Sequence, residues 1–417
     1  MIQSAGLSVC MIVKNESANL ADALAGFRSF ADEIVIVDTG SSDNTKEIAS
    51  GFTSNIYDFE WIDDFSAARN FAMSKASKSY QLWLDADDRI SSKDGRFIEK
   101  LKQQLDGRKA FYFVLENHRA DSAPSCCLQM RCTPLIPELQ FEGRVHEQIF
   151  PSAARAGLEL VTTDIVVRHM GYMSDEARLA KAKRNLAIME AEKADGRDDG
   201  ALHFFMAMTY APLGKKHEAI RSMERALEFF EKENYNHHLI PEGYLFLAKL
   251  TIETGDHDAS IRRLAMVESL VEDSPQHNFL MGILYQKMEK HREALRVFQK
   301  LAGKDYAPML FPTDPLPTAS ELLLHIAYSL YCLNDHRQAL ALINASAPQG
   351  ANIRKSWEWI GTKAYAFNNK ELAAVAFETA LRFGTIEAAS WKSLAAVYKS
   401  RGFSQKAEEC LTHAAVR

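Results

Sequence analysis

The sequence lacks several features that define common protein classes. Its 417 residues contain no apolar run of the ~20 residues that a membrane-spanning helix needs. The first residues, Met1 to Gly6, lack the charged and long apolar regions of a signal peptide. Six cysteines are present without a Cys-x-x-Cys pair, which argues against a zinc ribbon and a disulfide framework. We expect a cytoplasmic protein with reduced thiols, including Cys126, Cys127 and Cys132.

A strong excess of one charge sign is also absent. The formal net charge is -6, which excludes a globally basic nucleic-acid-binding protein. Hydrophobic residues make up 47% of the chain and charged residues 25%, as in ordinary globular proteins. At a prior of ~150 residues per domain, the length predicts two to three domains. We therefore expect no nucleic-acid partner and no membrane span.

Roughly the first 170 residues alternate short apolar runs with helical patterns. Residues 7–13, 33–38 and 80–85 are short, apolar and bounded by polar residues, which favours buried strands. Helical spacing of apolar residues occurs between them, as in residues 19–30 and 65–76. Such alternation is typical of parallel strands joined by helices that cover both faces of a sheet. The sequence therefore predicts an α/β domain with a mostly parallel, Rossmann-like sheet.

The second half of the chain contains a repeat instead of strands. Aligned on a small residue at position 20, the copies begin at residues 200, 241, 275, 320, 354 and 388. That residue is in turn Ala219, Ser260, Ala294, Ala339, Ala373 and Ala407. Three intervals between these starts are 34 residues, the tetratricopeptide period. This spacing predicts an all-α tetratricopeptide solenoid, with generic amphipathic helices as the alternative.

Two aspartates follow the apolar run that ends at residue 84. Residues i and i+2 of a strand point to the same side, so Asp85 and Asp87 can converge at its carboxyl end. Ligands of open α/β sheets bind at that edge. Paired carboxylates suit Mg²⁺ or Mn²⁺, which in turn hold phosphate oxygens. The alternative is a polar strand end with helix-capping aspartates.

Two further residues are candidates for contacts to a nucleotide. Asp38 also ends an apolar run and can accept a hydrogen bond from a nucleobase or a ribose hydroxyl, although a capped turn explains it nearly as well. Arg69 lies among small residues, where its guanidinium could meet a phosphate or a base edge. An ordinary exposed arginine is the alternative for Arg69.

Five motifs occur along the first half of the chain. They are Cys-Met-Ile-Val-Lys-Asn-Glu at 10–16, Val-Asp-Thr-Gly-Ser-Ser-Asp-Asn-Thr at 37–45, Phe-Ser-Ala-Ala-Arg-Asn at 65–70, Trp-Leu-Asp-Ala-Asp-Asp at 83–88 and Phe-Glu-Gly-Arg-Val-His-Glu at 141–147. In this order they resemble the motifs of a family 2 glycosyltransferase of the GT-A fold. The resemblance covers about residues 5–175. It implies transfer of a sugar from a nucleotide diphosphate sugar, for which we expect a UDP-sugar, with inversion.

The resemblance also implies roles for single residues. Asp85 and Asp87 match the metal motif of the family, with Mn²⁺ or Mg²⁺ as the expected cofactor. Asp38, Arg69 and Asp85 match positions that contact the nucleotide. Val13 and Asn15 lie where the first strand would meet it.

The catalytic residues are expected near the end of the fifth motif. The resemblance places Glu147 as the base that removes the proton of an acceptor hydroxyl or thiol. His146 is the second candidate, because its ordinary pKa of ~6.5 suits proton transfer. His169 closes the last apolar run and is a candidate third metal ligand. The alternatives are an exposed strand edge for His146 and Glu147 and a structural role for His169.

The sequence predicts a catalytic domain at residues 1–175, a helical linker at 176–199 and about six tetratricopeptide repeats at 200–417. This order resembles peptide and protein glycosyltransferases such as those that modify bacteriocins. We expect repeats that help to recognise a polypeptide acceptor or that form a homodimer. One alternative is a lipopolysaccharide-core or other glycan acceptor, with the repeats used for oligomerisation. Another is a scaffold protein whose catalytic domain is inactive.

Overall fold

The computed structural model describes residues 4–119, 122–171, 175–232, 239–303, 316–346 and 353–415. The chain forms two compact units, of which the first extends to Gly243 and the second begins at Tyr244. In the described part of the chain, no helix is long and apolar enough to cross a membrane. The six cysteines are free thiols in this structure.

The first unit is built on a mixed β-sheet. Its described strands are β1 (Ser4–Val13), β2 (Glu33–Asp38), β3 (Ile56–Asp58), β4 (Lys78–Trp83), β5 (Asp88–Ile90), β6 (Lys109–Arg119), β7 (Ser122–Pro134) and β8 (Glu159–His169). Their order across the sheet is β3-β2-β1-β4-β7-β6-β8-β5. The pairs among β3, β2, β1 and β4 are parallel. β7 is antiparallel to β4 and to β6, β6 and β8 are parallel, and β5 is antiparallel to β8.

Helices cover both faces of the parallel half of the sheet. The helices of this region are α1 (Leu20–Phe27), α2 (Thr45–Ser50), α3 (Phe65–Lys75), α4 (Ser92–Leu101), α5 (Phe150–Arg155) and α6 (Asp175–Ala194). On one face, Met11 of β1 belongs to the same buried cluster as Phe27 of α1. On the other face, Cys10 of β1 packs in a cluster with Ala72 of α3. Burial on both faces explains why these strands read as continuous apolar runs, and it confirms the predicted α/β class.

Helices in pairs follow the sheet. They are α7 (Gly200–Tyr210), α8 (Lys216–Phe230), α9 (Ile240–Thr254), α10 (His257–Leu270), α11 (Pro275–Lys287), α12 (His291–Leu301), α13 (Ala319–Cys332), α14 (His336–Ser346), α15 (Ile353–Ala366), α16 (Lys370–Arg382), α17 (Ala388–Ser400) and α18 (Ser404–Ala415). The first helix of each pair begins within one residue of a predicted repeat start. α7 and α8 belong to the first unit, so the predicted domain boundaries at 175 and 200 stay a prediction.

Small residues explain the close approach of the paired helices in the second unit. A Cβ added at Gly361 of α15 would lie 2.7 Å from a ring carbon of Phe377 on α16. The same holds for Gly282 of α11, where a Cβ would lie 2.3 Å from the ring of Phe298 on α12. A large aromatic ring therefore occupies the space that a side chain would need, which is the packing that the repeat pattern predicts.

We expect Gly361→Leu to destabilise the repeats by about 1–3 kcal/mol, the usual cost of overpacking a buried site. Ala366→Leu, at an exposed position of the same helix, should stay within about 0.5 kcal/mol of the wild type. Urea unfolding followed by far-ultraviolet circular dichroism measures both changes. Equal stability of the two variants would contradict the packing of α15 on α16.

Candidate active site

The site begins where β1 and β2 end side by side. Val13 lies opposite Asp38 in the parallel register. The carbonyl oxygen of Val13 accepts hydrogen bonds from the backbone N–H and the hydroxyl of Thr39, at 2.9 and 3.1 Å. Asn15 has a left-handed backbone with φ of 55°, and its side-chain oxygen accepts the N–H of Ser42 at 2.8 Å. Val13 and Asn15 thus hold the loop that follows β2, and their predicted contact with a nucleotide stays a prediction.

Asp38, the last residue of β2, is buried where this loop begins, with 1% of its surface exposed. Its Oδ1 accepts the backbone N–H groups of Gly40 and Ser41, at 2.9 and 2.8 Å. Its Oδ2 is buried and has no hydrogen-bond partner among the described residues. Because buried polar atoms are normally hydrogen-bonded, this oxygen is available to an N–H or O–H group of a ligand. The arrangement agrees with the predicted nucleotide contact, which stays a prediction.

The guanidinium of Arg69 on α3 donates hydrogen bonds to two carboxylates. Its Nη2 donates to Asp85 Oδ1 at 2.9 Å, and its Nε donates to Glu147 Oε1 at 2.6 Å. The guanidinium also lies over the ring of Trp83, with its central carbon 4.3 Å from the ring centroid. Burial opposes the charged form of Arg69, but Asp85 and Glu147 outweigh it and raise the pKa of the guanidinium. Its predicted phosphate or base contact stays a prediction.

Glu147 reaches Arg69 because α3 is bonded to the segment that contains Glu147. The backbone N–H of Phe65 donates to the carbonyl of Arg144 at 2.8 Å. The side chain of Asn70 makes two hydrogen bonds to the backbone of Phe141, at 2.8 and 3.0 Å. The motifs at 65–70 and 141–147 are therefore hydrogen-bonded to each other, although they lie more than 70 positions apart in the sequence.

His146 has a different environment from its neighbour Glu147. Its backbone is left-handed, with φ of 56°, and its ring stacks on Phe205 with centroids 4.7 Å apart. Burial, aided by the charge of Lys181, lowers the pKa of His146 to about 4. The imidazole is therefore neutral at physiological pH, and it is not part of the group formed by Asp85, Arg69 and Glu147.

The acidic residues after β4 meet His169 at the opposite strand. β5 pairs antiparallel with β8, so Asp88 lies directly opposite His169. Asp85, Asp87, Asp88 and His169 each offer a ligand atom, and these four atoms lie within 4.8 Å of one another. Burial, together with Asp85 and Asp88, raises the pKa of Asp87 to about 6. Burial would also raise the pKa of Asp85, but Arg69 and Arg131 lower it to about 2.

The donor atoms of this cluster fit a divalent cation. A Cβ added at Gly171 would lie 3.0 Å from Nε2 of His169 and 3.4 Å from Oδ2 of Asp87. These two atoms therefore border the same space, which the glycine keeps open. Carboxylate oxygens suit Mg²⁺ and Mn²⁺, and an imidazole nitrogen is a common transition-metal ligand. Asp85, Asp87 and His169 could hold such an ion, and their assignment as ligands stays a prediction.

The carboxylate of Asp88 is hydrogen-bonded to three groups of the protein. Its side chain is fully buried. Its Oδ1 lies 3.0 Å from Nδ1 of His169, and its Oδ2 accepts the backbone N–H of Asp85 at 2.9 Å and Nη1 of Arg131 at 3.0 Å. A carboxylate that accepts the Nδ1–H of a histidine leaves Nε2 as the ligating atom. Asp88 thus orients His169 toward the space beside Gly171.

Sequence reasoning missed Arg131, which lies on β7 with 2% of its surface exposed. Its guanidinium lies over the ring of Trp83 at 3.8 Å and contacts Asp88. Its Nη1 also lies 3.9 Å from Asp85. The only sequence signal was an arginine among the apolar residues of a strand, since such a residue needs a buried partner. Asp88 and Gly171 were likewise not singled out by the sequence.

Comparisons with known proteins find several that are similar to this chain. Residues 8–115 match the family model described as Glycosyl transferase family 2. A TPR repeat-containing protein of Synechococcus elongatus is 30% identical over 268 residues, which cover 62% of this chain and 65% of that protein. The SPbeta prophage-derived glycosyltransferase SunS of Bacillus subtilis is 24% identical over 250 residues, which cover 59% of each chain. A tetratricopeptide repeat protein of Parabacteroides merdae aligns with a TM-score of 0.37 and 18% identity, over 53% of this chain and 79% of that chain.

Together, the fold and the family match define the class of protein. It combines a family 2 glycosyltransferase domain with a helical region of tetratricopeptide type. The sequence resemblance to this family is thereby confirmed. The chain spans less than two thirds of the length of each of the two curated relatives named above.

The role of Asp88 can be tested through metal affinity. Asp88→Asn replaces one carboxylate oxygen by an NH₂ group, so it cannot accept all three hydrogen bonds. We expect Mn²⁺ affinity to fall by about 10- to 100-fold, the usual effect of changing a group that orients a metal ligand. Electron paramagnetic resonance of free Mn²⁺ measures this affinity.

Asp258→Asn, the same chemical change at an exposed position of α10, is the matched control and should bind Mn²⁺ as the wild type does. Circular dichroism confirms that both variants are folded. Equal Mn²⁺ affinity in a folded Asp88→Asn variant would show that Asp88 does not orient a metal ligand.

Proposed function

We propose that this protein is an inverting glycosyltransferase that moves a sugar from a nucleoside diphosphate sugar to a polypeptide acceptor. The observation that supports it most is the link through Arg69 between Asp85 of the acidic cluster and Glu147. The guanidinium of Arg69 bonds to Asp85, which we place at the donor, and to Glu147, which we place at the acceptor. It thereby fixes the distance between these two residues. Positioning of this kind is a large part of catalysis in group transfer.

The donor would bind along the carboxyl ends of β1, β2 and β4. Asp38 would accept a hydrogen bond from the ribose or the base through its unpartnered Oδ2. Mn²⁺ or Mg²⁺ held by Asp85, Asp87 and His169 would stabilise the charge of the diphosphate leaving group. We infer a UDP-sugar as the donor from the family resemblance.

Glu147 is the residue that we propose as the base. Its Oε1 accepts a hydrogen bond from Arg69, and we assign the proton-accepting role to its other oxygen, Oε2. As the acceptor oxygen or sulfur bonds to the anomeric carbon and the bond to the diphosphate breaks, Oε2 would take the acceptor proton. His146 instead stacks on Phe205, and burial lowers its pKa to about 4, far below the neutral range that suits a histidine base.

The helix pairs support a polypeptide as the acceptor. Repeats of this type commonly bind extended chains. The order of a sugar-transfer domain and helical repeats also resembles peptide and protein glycosyltransferases. The ordered acidic cluster and the Arg69–Glu147 pair argue against an inactive scaffold. No observation favours the alternatives, which are a homodimer contact as the role of the repeats and a glycan as the acceptor.

Glu147→Gln keeps the shape of the side chain but cannot accept a proton. We therefore expect the transfer rate to fall by roughly 10²- to 10⁴-fold, the usual contribution of a general base, while donor binding persists. His146→Ala should have a much smaller effect on transfer. Transfer is measured by mass spectrometry of the acceptor, and donor binding by calorimetry.

The opposite pattern would reassign the base. A severe loss of transfer in a folded His146→Ala variant, with a mild loss in Glu147→Gln, would make His146 the base. Loss of donor binding in Glu147→Gln would place Glu147 at the donor instead of the acceptor.

A further inference from the structure

A cavity of about 120 Å³ lies in the first unit beside Glu147. Strands β6 and β7 contribute Tyr112 and Met130 to its wall, and helix α7 contributes Phe205. Glu147 and Trp83 line it as well. A group that fills this cavity would therefore be next to the proposed base.

The wall of the cavity is mainly apolar and buried. Tyr112, Met130, Met189, Leu202 and Phe205 each expose less than a tenth of their surface. An engineered apolar cavity of about 150 Å³ in another protein holds a benzene molecule. By that measure, this cavity accommodates one apolar side chain of about the size of leucine.

Three charged residues at the wall, Arg197, Asp199 and Glu142, are in ion pairs. Arg197 bonds to Glu192 at 2.8 Å and to Asp199 at 2.6 Å. Glu142 pairs with Arg155. A glycan would bring several hydroxyl groups that need hydrogen-bond partners when they are buried, and these ion pairs are already engaged.

We propose that this cavity receives an apolar side chain next to the glycosylated residue of a polypeptide acceptor. The proposal rests on the proposed function, since it takes Glu147 as the base. It adds a preference for the sequence around the modified residue. The nucleophile of that residue lies at Glu147, and its neighbour fills the space bounded by Met130 and Phe205.

The test uses the full chain, synthetic peptides and Mn²⁺. Each peptide carries a central serine, threonine or cysteine, flanked on both sides by glycine, alanine, leucine or aspartate. The donor is the one that the wild type hydrolyses fastest from a panel of UDP-, GDP- and dTDP-sugars. We expect leucine-flanked peptides to exceed glycine-flanked ones about tenfold or more in kcat/KM, because apolar pockets discriminate single methylene groups by 10–200-fold.

Ala201→Leu places a larger side chain into the cavity wall on α7. We expect it to reduce the leucine preference to about twofold while leaving donor hydrolysis and transfer to glycine-flanked peptides unchanged. Ala191→Leu, at an exposed position of α6, is the matched control and should keep the wild-type preference. Ala201→Val provides a smaller change if Ala201→Leu does not fold, as judged by thermal unfolding.

Two results would overturn the proposal. One is transfer that does not depend on the flanking residue, or a leucine preference that persists in the folded Ala201 variants. The other is the absence of transfer to every peptide. Donor hydrolysis then distinguishes failure of the peptide subsite from failure of the proposed function. Hydrolysis without peptide transfer rejects the peptide subsite but keeps sugar transfer. The loss of both activities rejects the proposed function itself.

Discussion

The buried guanidinium of Arg69 is the interaction on which the site depends. It bonds to Asp85 at the end of β4 and to Glu147 in a distant segment, and it lies over the ring of Trp83. Removing one partner of a buried ion pair typically costs about 3–5 kcal/mol, because an unpaired charge is left in the interior. The position of the proposed base relative to the acidic cluster is therefore set by a strong constraint and does not rely on loop contacts alone.

A second buried arginine supports the same region. Arg131 contacts Asp88, which in turn contacts His169. Both guanidinium groups also lie over the ring of Trp83. Three carboxylates can thus lie close together in a partly buried place, because two positive charges and one imidazole offset their repulsion. Contacts within the protein therefore hold the side chains of the cluster in place.

The sequence predicted the parts of this structure that depend on local patterns. Buried strands were recognisable from their apolar runs, and the repeat starts from the small residues such as Ala294 and Ala373, since both signals arise from packing within one element and its neighbour. The partnership of Arg69 with Glu147 was not predictable, because it depends on how α3 docks onto residues 141–147. Arg131 was missed for the same reason: its partners come from other strands. The roles of Asp38, Val13 and Asn15 toward a nucleotide stay predictions.

We propose that the carboxyl ends of β1, β2 and β4 bind a nucleoside diphosphate sugar together with a divalent cation. Thermal unfolding of the wild type and of Asp87→Ala, with a panel of nucleotide sugars and with or without Mn²⁺, tests it most directly. A ligand that binds the native state at 100 times its Kd stabilises it by about 2.7 kcal/mol. We predict that one nucleotide class raises the unfolding temperature of the wild type only when Mn²⁺ is present, and that Asp87→Ala loses this effect. An unchanged unfolding temperature with every nucleotide sugar, or an equal rise in Asp87→Ala, would contradict the account.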